Sequence, residues 1–421
     1  MRGLVQGCQG HRFERVLVLC VCAAVAALLV PASGQARAMR VSCGATITSD
    51  TTLKNDLANC PNIGIVIGAN DITLDLNAHA VSGDGEPVAS CPEGASCDIG
   101  IDNTAGHTGV TIRGGAVRGF DVGVLVVGAS ENRLHRLASA NNSSFGLIVG
   151  DSTETRVDHN SSVDDGISGI VVFNSQHLRI DHNAIRGTSG YAVPVFGSSH
   201  NRFEHNLLMN DQHGFGLGGS DENAGSNDNE IRGNRLAHGP GIEVAHSSDN
   251  RVRENVLTNP GDGVLLIESR RTQVSGNAIH DAGVGFVEAG GFGILLDGAD
   301  DNILQRNALS DGKGPAIFVT TLESQGTSDR NVVSDNIANS NLGDGILVDN
   351  AATATLLERN TANQNRHDGI QIDAPGTTVT RNMANFNGNY GIEAVPEVID
   401  GGGNRARANG NALQCTNLTC Y

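Results

Sequence analysis

The hydrophobic and polar positions of the chain repeat at a regular interval from about residue 120 to the end. Each unit opens with a Gly and a short apolar segment, as in Gly146-Leu-Ile-Val and Gly169-Ile-Val-Val. Several intervals between these glycines are 21–24 residues long, and longer intervals mark inserted loops. A repeat of this length, built from strands of three to five residues with no room for a helix, predicts a stacked β-solenoid.

A second module follows each apolar strand and alternates polar with apolar residues, as in Asn250-Arg-Val-Arg-Glu-Asn255. In a strand this alternation places the apolar residues inside the coil and the charges outside. The repeated Asn is expected at inward turn positions, where side-chain amides bond along a ladder, and the repeated Gly at turns that need positive φ. The expected ladder positions are Asn160, Asn183, Asn206, Asn234, Asn255, Asn277, Asn307, Asn336, Asn360, Asn382 and Asn409.

The predicted fold class is therefore all-β: a single-stranded parallel β-helix of about a dozen coils, forming one domain over residues 39–421. At about 4.8 Å per coil the rod would be roughly 55–60 Å long. Its open ends need caps, which we expect at about residues 43–70 and 403–421. Leu53 and Leu57, four residues apart, predict a short capping helix within residues 50–59, ahead of a first full coil at residues 72–76.

Residues 1–38 have the pattern of an export signal. A basic start is followed by an apolar run over residues 16–30 and by Ala36-Arg37-Ala38, a small-x-small cleavage pattern. The alternative is a membrane anchor, but a run of about 15 residues is short for a spanning helix. We expect cleavage, no membrane span in the mature chain, and a secreted, periplasmic or cell-surface protein.

The charge limits the partners. The full chain carries a net charge of −18, and −21 without residues 1–38, which excludes a basic nucleic-acid binder. We expect a monomer whose partner is a polysaccharide or a cell-surface glycan rather than a nucleic acid.

Six cysteines remain after the predicted cleavage, in pairs near the two ends of the chain. An even count in an exported protein indicates disulfides, whereas no His stands at metal-ligand spacing around these residues. The predicted pairs are Cys43–Cys60, Cys91–Cys97 and Cys415–Cys420.

These Gly-apolar strands and Asn positions resemble the right-handed parallel β-helix superfamily, which includes NosD-type periplasmic proteins, pectate lyases and mannuronan C5-epimerases. Cys43-Gly-Ala-Thr-Ile-Thr and Asp71-Ile-Thr-Leu-Asp-Leu-Asn also carry the resemblance. It covers nearly the whole mature chain and implies the fold. It does not select one function, because this fold hosts lyases, hydrolases, epimerases and non-enzymes.

One tripeptide, Asp211-Gln212-His213, resembles the Asp-Pro-His of mannuronan epimerases. The resemblance implies that His213 is the catalytic base and Asp211 its partner in removing the C5 proton of a uronate. His238, 25 residues later, is expected about one coil above His213, and Arg235 is a cation suited to a substrate carboxylate. The Pro is replaced by Gln212, and Leu208 stands where the family has a Tyr. A polar turn is the alternative role for this segment.

Three charged columns precede the ladder Asn in successive coils. They comprise Arg156, Arg179 and Arg202; Asp158, Asp181 and Glu204; and His159, His182 and His205. One interpretation makes Arg179, Arg202, His182 and His205 a glycan-binding face. The other is a column of solvated ion pairs between coils, each worth a few tenths of a kcal/mol.

Calcium is the candidate cofactor, because Asp221, Glu222 and Asp228 cluster oxygen ligands in an inserted loop. Two functions remain open. The first is a secreted enzyme acting on polysaccharide, a uronate lyase or C5-epimerase. The second is a non-catalytic β-helix with a binding, structural or adhesion role. Only three Tyr and no Trp weaken the sugar-binding version, since sugars commonly stack on such rings.

Overall fold

The computed structural model describes residues 37–85, 98–218, 225–239, 241–283, 291–322, 324 and 326–421. The chain winds into a parallel β-solenoid, as the repeat predicts, and each coil contributes short strands to three faces. Face 1 is a 15-stranded parallel sheet, and faces 2 and 3 are two ladders joined in a 26-stranded sheet and closed by a final two-stranded pair.

Face 1 consists of β2 (Ala45–Ile47), β5 (Ile63–Ile67), β8 (Ile99–Asn103), β10 (Val122–Val127), β12 (Phe145–Gly150), β15 (Ser168–Phe173), β18 (Tyr191–Phe196), β21 (His213–Gly218), β24 (Ile242–Ala245), β27 (Val264–Ile267), β30 (Ile294–Asp297), β33 (Ile317–Thr320), β36 (Ile346–Val348), β38 (Ile370–Ile372) and β41 (Ile392–Ala394). Face 2 consists of β1 (Arg37–Met39), β3 (Thr51–Leu53), β6 (Thr73–Asp75), β13 (Arg156–Asp158), β16 (Arg179–Asp181), β19 (Arg202–Glu204), β22 (Glu230–Arg232), β25 (Arg251–Arg253), β28 (Gln273–Ser275), β31 (Ile303–Gln305), β34 (Val332–Ser334), β37 (Leu356–Glu358), β39 (Thr378–Thr380) and β42 (Ile399–Gly402). Face 3 consists of β4 (Leu57–Cys60), β7 (Ala80–Gly83), β14 (Ser161–Val163), β17 (Ala184–Arg186), β20 (Leu207–Met209), β23 (Arg235–Gly239), β26 (Val256–Pro260), β29 (Ala278–His280), β32 (Ala308–Ser310), β35 (Ile337–Asn339), β40 (Met383–Asn385) and β43 (Arg405–Arg407). Two longer strands, β9 (Thr111–Arg118) and β11 (Arg133–Ala140), run through both faces 2 and 3.

The core is a central column of apolar side chains, one layer per coil. In the coil that begins with β15, Ile170, Ile180 and Ile185 enter this column from faces 1, 2 and 3, and each is at most 1% exposed. Burying an aliphatic side chain of this size contributes roughly 2 kcal/mol. The strand alternation seen in the sequence therefore gives the inward and outward positions on all three faces.

The Asn ladder lies at the corner between faces 2 and 3. Asn183, for example, accepts a hydrogen bond from the Asn160 backbone N–H and donates Nδ2–H to Asn206 Oδ1 and to the Val157 carbonyl oxygen. The last predicted position was wrong: Asn404, not Asn409, receives the bond from Asn382. Asn409 belongs to a second ladder at the corner between faces 3 and 1.

The predicted capping helix is wrong. Residues 50–59 form β3 and the start of β4, and the described part of the chain contains no helix. Leu53 and Leu57 are both buried because they sit on two strands either side of a corner, where Asn55 exchanges two hydrogen bonds with the Val41 backbone. The spacing of four thus reflects a corner rather than a helical turn, and the solenoid begins before residue 72.

The coil count is also larger than the expected dozen. Fifteen strands on face 1 correspond to about 15 coils, or roughly 70 Å of stacked strands.

The glycines that open the face 1 strands have a different role from the one predicted. Gly146 and Gly345 do not have positive φ. A Cβ on either would lie 2.5 Å from the carbonyl oxygen of the matching glycine in the next coil. Positive φ occurs instead at the residue before each ladder Asn, which is usually not glycine: His159 and Arg306 have φ of 57° and 54°.

Two of the predicted disulfides are present, Cys43–Cys60 and Cys415–Cys420, one at each end of the solenoid. Cys91 and Cys97 lie outside the described residues, as do residues 1–36 of the predicted export signal. Among the residues that the structure describes, no helix is long and apolar enough to cross a membrane.

Candidate functional site

An open cleft of about 260 Å³ lies on the outer surface of face 1, where β18, β21 and β24 pair in register. Tyr191 and His213 are register partners on adjacent strands, and their rings stack with centroids 4.8 Å apart. The two rings pack against each other at the edge of the cleft, with their planes inclined by 30°.

Glu243 connects the same surface to the next coil. The Tyr191 hydroxyl donates a 2.6 Å hydrogen bond to Glu243 Oε2, two coils away along the solenoid. The Tyr191 ring passes over Gly216, where a Cβ would lie 2.7 Å from two ring carbons. Burial raises the pKa of the Tyr191 phenol above its ordinary value, and the hydrogen-bonded Glu243 carboxylate raises it further. The phenol therefore stays protonated and acts as a donor.

The remaining walls of the cleft combine glycine and apolar residues with two polar side chains, Gln212 and Asp262. The other lining residues are Gln212, Gly214, Phe215, Gly239, Gly241, Ile242, Gly261, Asp262 and Leu265. Asp262 Oδ1 accepts hydrogen bonds from the backbone N–H groups of Gly291 and Phe292, which hold its carboxylate in place. Among the described lining residues there is no Lys or Arg, so the cleft carries two carboxylates and no fixed cation.

The three residues predicted to be catalytic occupy different environments. His213 is exposed and lines the cleft. Asp211 is 3% exposed, and its Oδ1 accepts hydrogen bonds from the Thr188 backbone N–H and hydroxyl inside the corner. His238 is exposed, does not line the cleft, and has its Nδ1 3.4 Å from Asn259 Nδ2. In the described part of the molecule, no hydrogen bond or ring contact joins the three.

Asp211 is nevertheless unusual for a corner residue. Its Oδ2 is buried and has no hydrogen-bond partner among the described residues. Burial raises the pKa of Asp211 to about 6, although hydrogen bonds from Thr188 act in the opposite direction. In the corresponding corner of a later coil stands Asn365, whose Nδ2 donates to the Ala338 carbonyl oxygen.

The charged columns lie in register on face 2, as predicted. Asp158 and Asp181 are on the outer side of their strands, yet both carboxylates are buried beneath arginine and histidine side chains. Arg133 binds Asp158 through two nitrogens, at 2.8 and 2.9 Å, and Arg156 binds Asp181 in the next coil in the same way, at 3.1 Å. Burial raises the pKa of Asp158, but hydrogen bonds from Arg133 and from His159 and His135 outweigh it and hold the pKa well below its usual range.

One group of side chains on face 2 has the composition of a metal site. The ligand atoms of His135, Asp158 and His159 lie within 4.8 Å of one another. Both Asp158 oxygens, however, already accept hydrogen bonds, and Arg133 and Arg156 place two positive charges beside them. The two arginines and the histidines therefore stabilise the Asp158 carboxylate without a metal ion. Of the predicted calcium ligands, Asp221 and Glu222 lie outside the described residues, and Asp228 is exposed, 3.8 Å from His200.

The predicted substrate-binding residues are spread over two faces. Arg179, Arg202, His182 and His205 belong to the face 2 columns, whereas Arg235 is exposed on face 3. Tyr191 and Glu243 were missed as site residues. An alignment of the face 1 strands would have identified them. Glu243 and Gly216 occupy the same outward register position that aliphatic residues, Ile148 and Val171, occupy in earlier coils.

The comparisons with known proteins support the fold. A family model described as "Right handed beta helix region" matches residues 45–208 and 213–383. No curated protein sequence is significantly similar to the chain.

Several solved structures are similar to this chain over most of its length, at low sequence identity. The A-module of the Azotobacter vinelandii mannuronan C-5 epimerase AlgE6 is 14% identical, with 85% of this chain and 88% of that one covered and a TM-score of 0.37. The tailspike protein of E. coli bacteriophage HK620, in complex with a pentasaccharide, is 10% identical, with coverage of 89% and 68% and a TM-score of 0.46. DFA-IIIase from Arthrobacter chlorophenolicus A6 is 14% identical, with coverage of 75% and 84% and a TM-score of 0.45.

Proposed function

Since the chain belongs to the right-handed β-helix family, whose fold alone fixes no activity, we propose a function from the cleft: the protein acts on or binds an extracellular polysaccharide there. The observation that carries this proposal is the stacked pair of Tyr191 and His213 beside the Glu243 carboxylate. Sugar rings pack on flat aromatic surfaces and bind through hydrogen bonds to carboxylates and amides. The chain has three Tyr and no Trp, and one of those few rings lies at this cleft.

The cleft also offers groups for chemistry. His213 is exposed at the cleft, within reach of a bound sugar, and the Tyr191 phenol can serve a departing or ring oxygen only if its single hydrogen turns from Glu243 to the substrate. An acid and a base on adjacent strands fit a lyase or C5-epimerase acting on a uronate. In this arrangement Glu243 holds the phenol in position, and Asp211 takes no direct part.

The charge of the cleft restricts the substrate. A uronate carboxylate would meet Glu243 and Asp262 with no Lys or Arg among the described lining residues to neutralise it. A uronate would therefore need a bridging cation, for which carboxylate oxygens suit calcium. A neutral polysaccharide needs no such bridge. We accordingly expect any activity on uronates to depend on calcium.

A second candidate is a non-catalytic binding or structural role on a cell surface. It is favoured by the separation of Asp211 and His238 from His213, which leaves the predicted set of three catalytic groups unassembled. Disulfides near both ends of the solenoid suit an oxidising compartment under either function.

The test uses the full-length protein and a panel of polyuronates and neutral polysaccharides, each with and without calcium. Ultraviolet absorbance reports unsaturated ends, proton NMR reports C5 inversion, and calorimetry reports binding without turnover. We expect a signal with one polysaccharide that is lost in His213→Ala and kept in the control His367→Ala, an exposed histidine outside the cleft. Turnover supports the enzyme, and binding alone supports the non-catalytic role. No binding to any polysaccharide, or equal loss in the control, contradicts the proposal.

A further inference from the structure

A run of cationic side chains crosses four consecutive coils on the outer side of face 2. We call it the Arg–His ladder and define it by Arg133, Arg136, Arg156, Arg179, Arg202, His135, His159, His182 and His205. Five arginines stand there over three carboxylates, Asp158, Asp181 and Glu204, before any histidine is counted. The whole chain has a net charge of −18, so the ladder is a local reversal of its electrostatic character.

The carboxylates of the ladder are covered by its cations. The Asp158 and Asp181 side chains are 0% and 1% exposed, whereas the Arg133 and Arg179 side chains above them are 42% and 49% exposed. An anion that approaches from solvent therefore meets guanidinium groups first. The buried carboxylates keep these groups in fixed positions rather than repelling the incoming charge.

The histidine rings form an ordered stack along the solenoid axis. The centroids of His159 and His182 are 5.0 Å apart with nearly parallel rings, and those of His182 and His205 are 5.2 Å apart. Nδ1 of His159 and of His182 donates to the carboxylate before it at 2.9 Å. Because the carboxylate can only accept, Nδ1 carries the proton, and the Nε2 edge of each ring is left for other partners.

Two arginines of the ladder have no partner among the described residues. Arg133, Arg156 and Arg179 each bind the carboxylate of the following coil, at Asp158, Asp181 and Glu204. In the next coil Arg202 is in register with Glu230, which binds Arg253 instead, and the position that holds the carboxylate in earlier coils is taken by Arg232. Among the described residues, Arg202 makes no ion pair. At the other end, Arg136 is exposed and unpaired, and with Arg113 and His135 it lines a cleft of about 250 Å³.

We propose that the Arg–His ladder binds a linear anionic polysaccharide that lies parallel to the solenoid axis. The ladder offers an arginine and a histidine in each of four coils over about 15 Å, which suits a polymer with a carboxylate or sulfate group on each repeating unit. A nucleic acid is disfavoured because the ladder is a single row on an acidic molecule. This surface lies on face 2, away from the face 1 cleft, so the inference does not rest on the proposed function.

The experiment measures the binding of three fluorescently labelled probes to the full-length protein by anisotropy at low ionic strength. The probes are an oligogalacturonate, a dextran sulfate and an oligo-dT. The test variant is Arg136→Gln/Arg202→Gln, which removes the two unpaired guanidinium groups and leaves every ion pair of the ladder intact. The matched control is Arg405→Gln/Arg407→Gln, which makes the same charge change at two exposed arginines of β43.

We expect at least one anionic polysaccharide to bind, with the test variant about tenfold weaker and the control unchanged, as the loss of two exposed charge contacts implies. Selective binding of the oligogalacturonate would identify a carboxylate as the recognised group, and selective binding of the dextran sulfate would identify a sulfate. Circular dichroism checks that both variants are folded, and His159→Gln/His182→Gln/His205→Gln should weaken binding as well.

Three results would overturn the inference: no binding of either polysaccharide, equal weakening in the control, or tighter binding of oligo-dT than of the polysaccharides. Glu243→Gln separates the two proposals, because it should leave binding at the ladder unchanged while it impairs the face 1 cleft.

Discussion

The hydroxyl of Tyr191 reaches the carboxylate of Glu243 across an entire coil of the solenoid. The 2.6 Å hydrogen bond spans 52 residues of sequence and passes over the coil that holds His213 and Gly216. Three consecutive coils are thereby joined on their outer surface at one cleft. The arrangement is uncommon on face 1, whose outward positions are mostly aliphatic, as at Ile148 and Val171.

We predict that Tyr191→Phe keeps the ring stack with His213 and loses only the bond to Glu243. A hydrogen bond to a charged group contributes about 1.5–3 kcal/mol to stability when well formed, so the free energy of unfolding should fall by up to that amount. Because Glu243 is then no longer held in place, we also expect about tenfold weaker binding or slower turnover of the polysaccharide identified by the panel. Calorimetric titration and thermal unfolding measure the two effects, and unchanged affinity would remove the hydroxyl from the site.

Gly216→Ala should disturb the cleft while leaving the core intact. The new Cβ would lie 2.7 Å from two carbons of the Tyr191 ring, closer than real contacts allow, so the ring must move and the bond to Glu243 must break. We expect a larger loss of binding than in Tyr191→Phe. The matched control is Gly218→Ala, in the same strand, where the nearest atom to a Cβ is 3.4 Å away. Equal effects of the two substitutions would contradict the arrangement.

Asp211→Asn should stabilise the protein at neutral pH. In wild type the folded-state pKa of about 6 lies above the unfolded value near 4, so the folded state holds the proton more tightly and stability falls as pH rises from 4 through 6. The amide removes this loss and supplies a donor where Oδ2 has no partner, so we expect a gain of about 1–3 kcal/mol at pH 7.5. Urea unfolding at pH 4 and 7.5 measures it.

The same variant tests the catalytic role implied for Asp211. If the carboxylate served His213 as a catalytic partner, Asp211→Asn would abolish turnover of the polysaccharide. We expect turnover or binding to persist, since Asp211 hydrogen-bonds Thr188 inside the corner. A variant that is less stable than wild type at pH 7.5 would contradict the structural interpretation.

Asp158→Asn should destabilise the protein by about 3 kcal/mol or more at pH 7, because it leaves Arg133, His135 and His159 without their buried charged partner. The folded-state pKa of Asp158 is depressed. Its contribution is therefore present above the unfolded value near pH 4 and is lost as pH falls further. The difference from wild type should shrink between pH 4 and pH 2. Asp249→Asn, at the exposed pair with Arg271, should cost less than about 1 kcal/mol, and an equal cost would refute the distinction.

The repeat predicted most of the fold because a solenoid converts sequence period directly into position. Residues 23 apart, such as Asn160 and Asn183, become neighbours, and so do Arg156 and Arg179. The corners between faces were not predicted by the repeat. There Leu53 and Leu57 mimicked a helical spacing, and glycines required by the close approach of the next coil were interpreted as positions of positive φ.

The candidate site was only partly predictable, since it depends on side chains from coils of unequal length. His213 was identified by its tripeptide, but its neighbours Tyr191 and Glu243 carry no motif. Their contact also requires that Gly216, in the coil between them, has no side chain. A residue pair that meets across a glycine becomes visible only after the face 1 strands are in register.

The most direct test of the central claim is a crystal structure of the full-length protein with an oligosaccharide from the polysaccharide that binds. We predict a sugar ring packed on Tyr191 and His213, with a hydroxyl or a bridging calcium ion contacting Glu243 and Asp262. A bound oligosaccharide that leaves this cleft empty, on face 3 or on the Arg–His ladder alone, would contradict it.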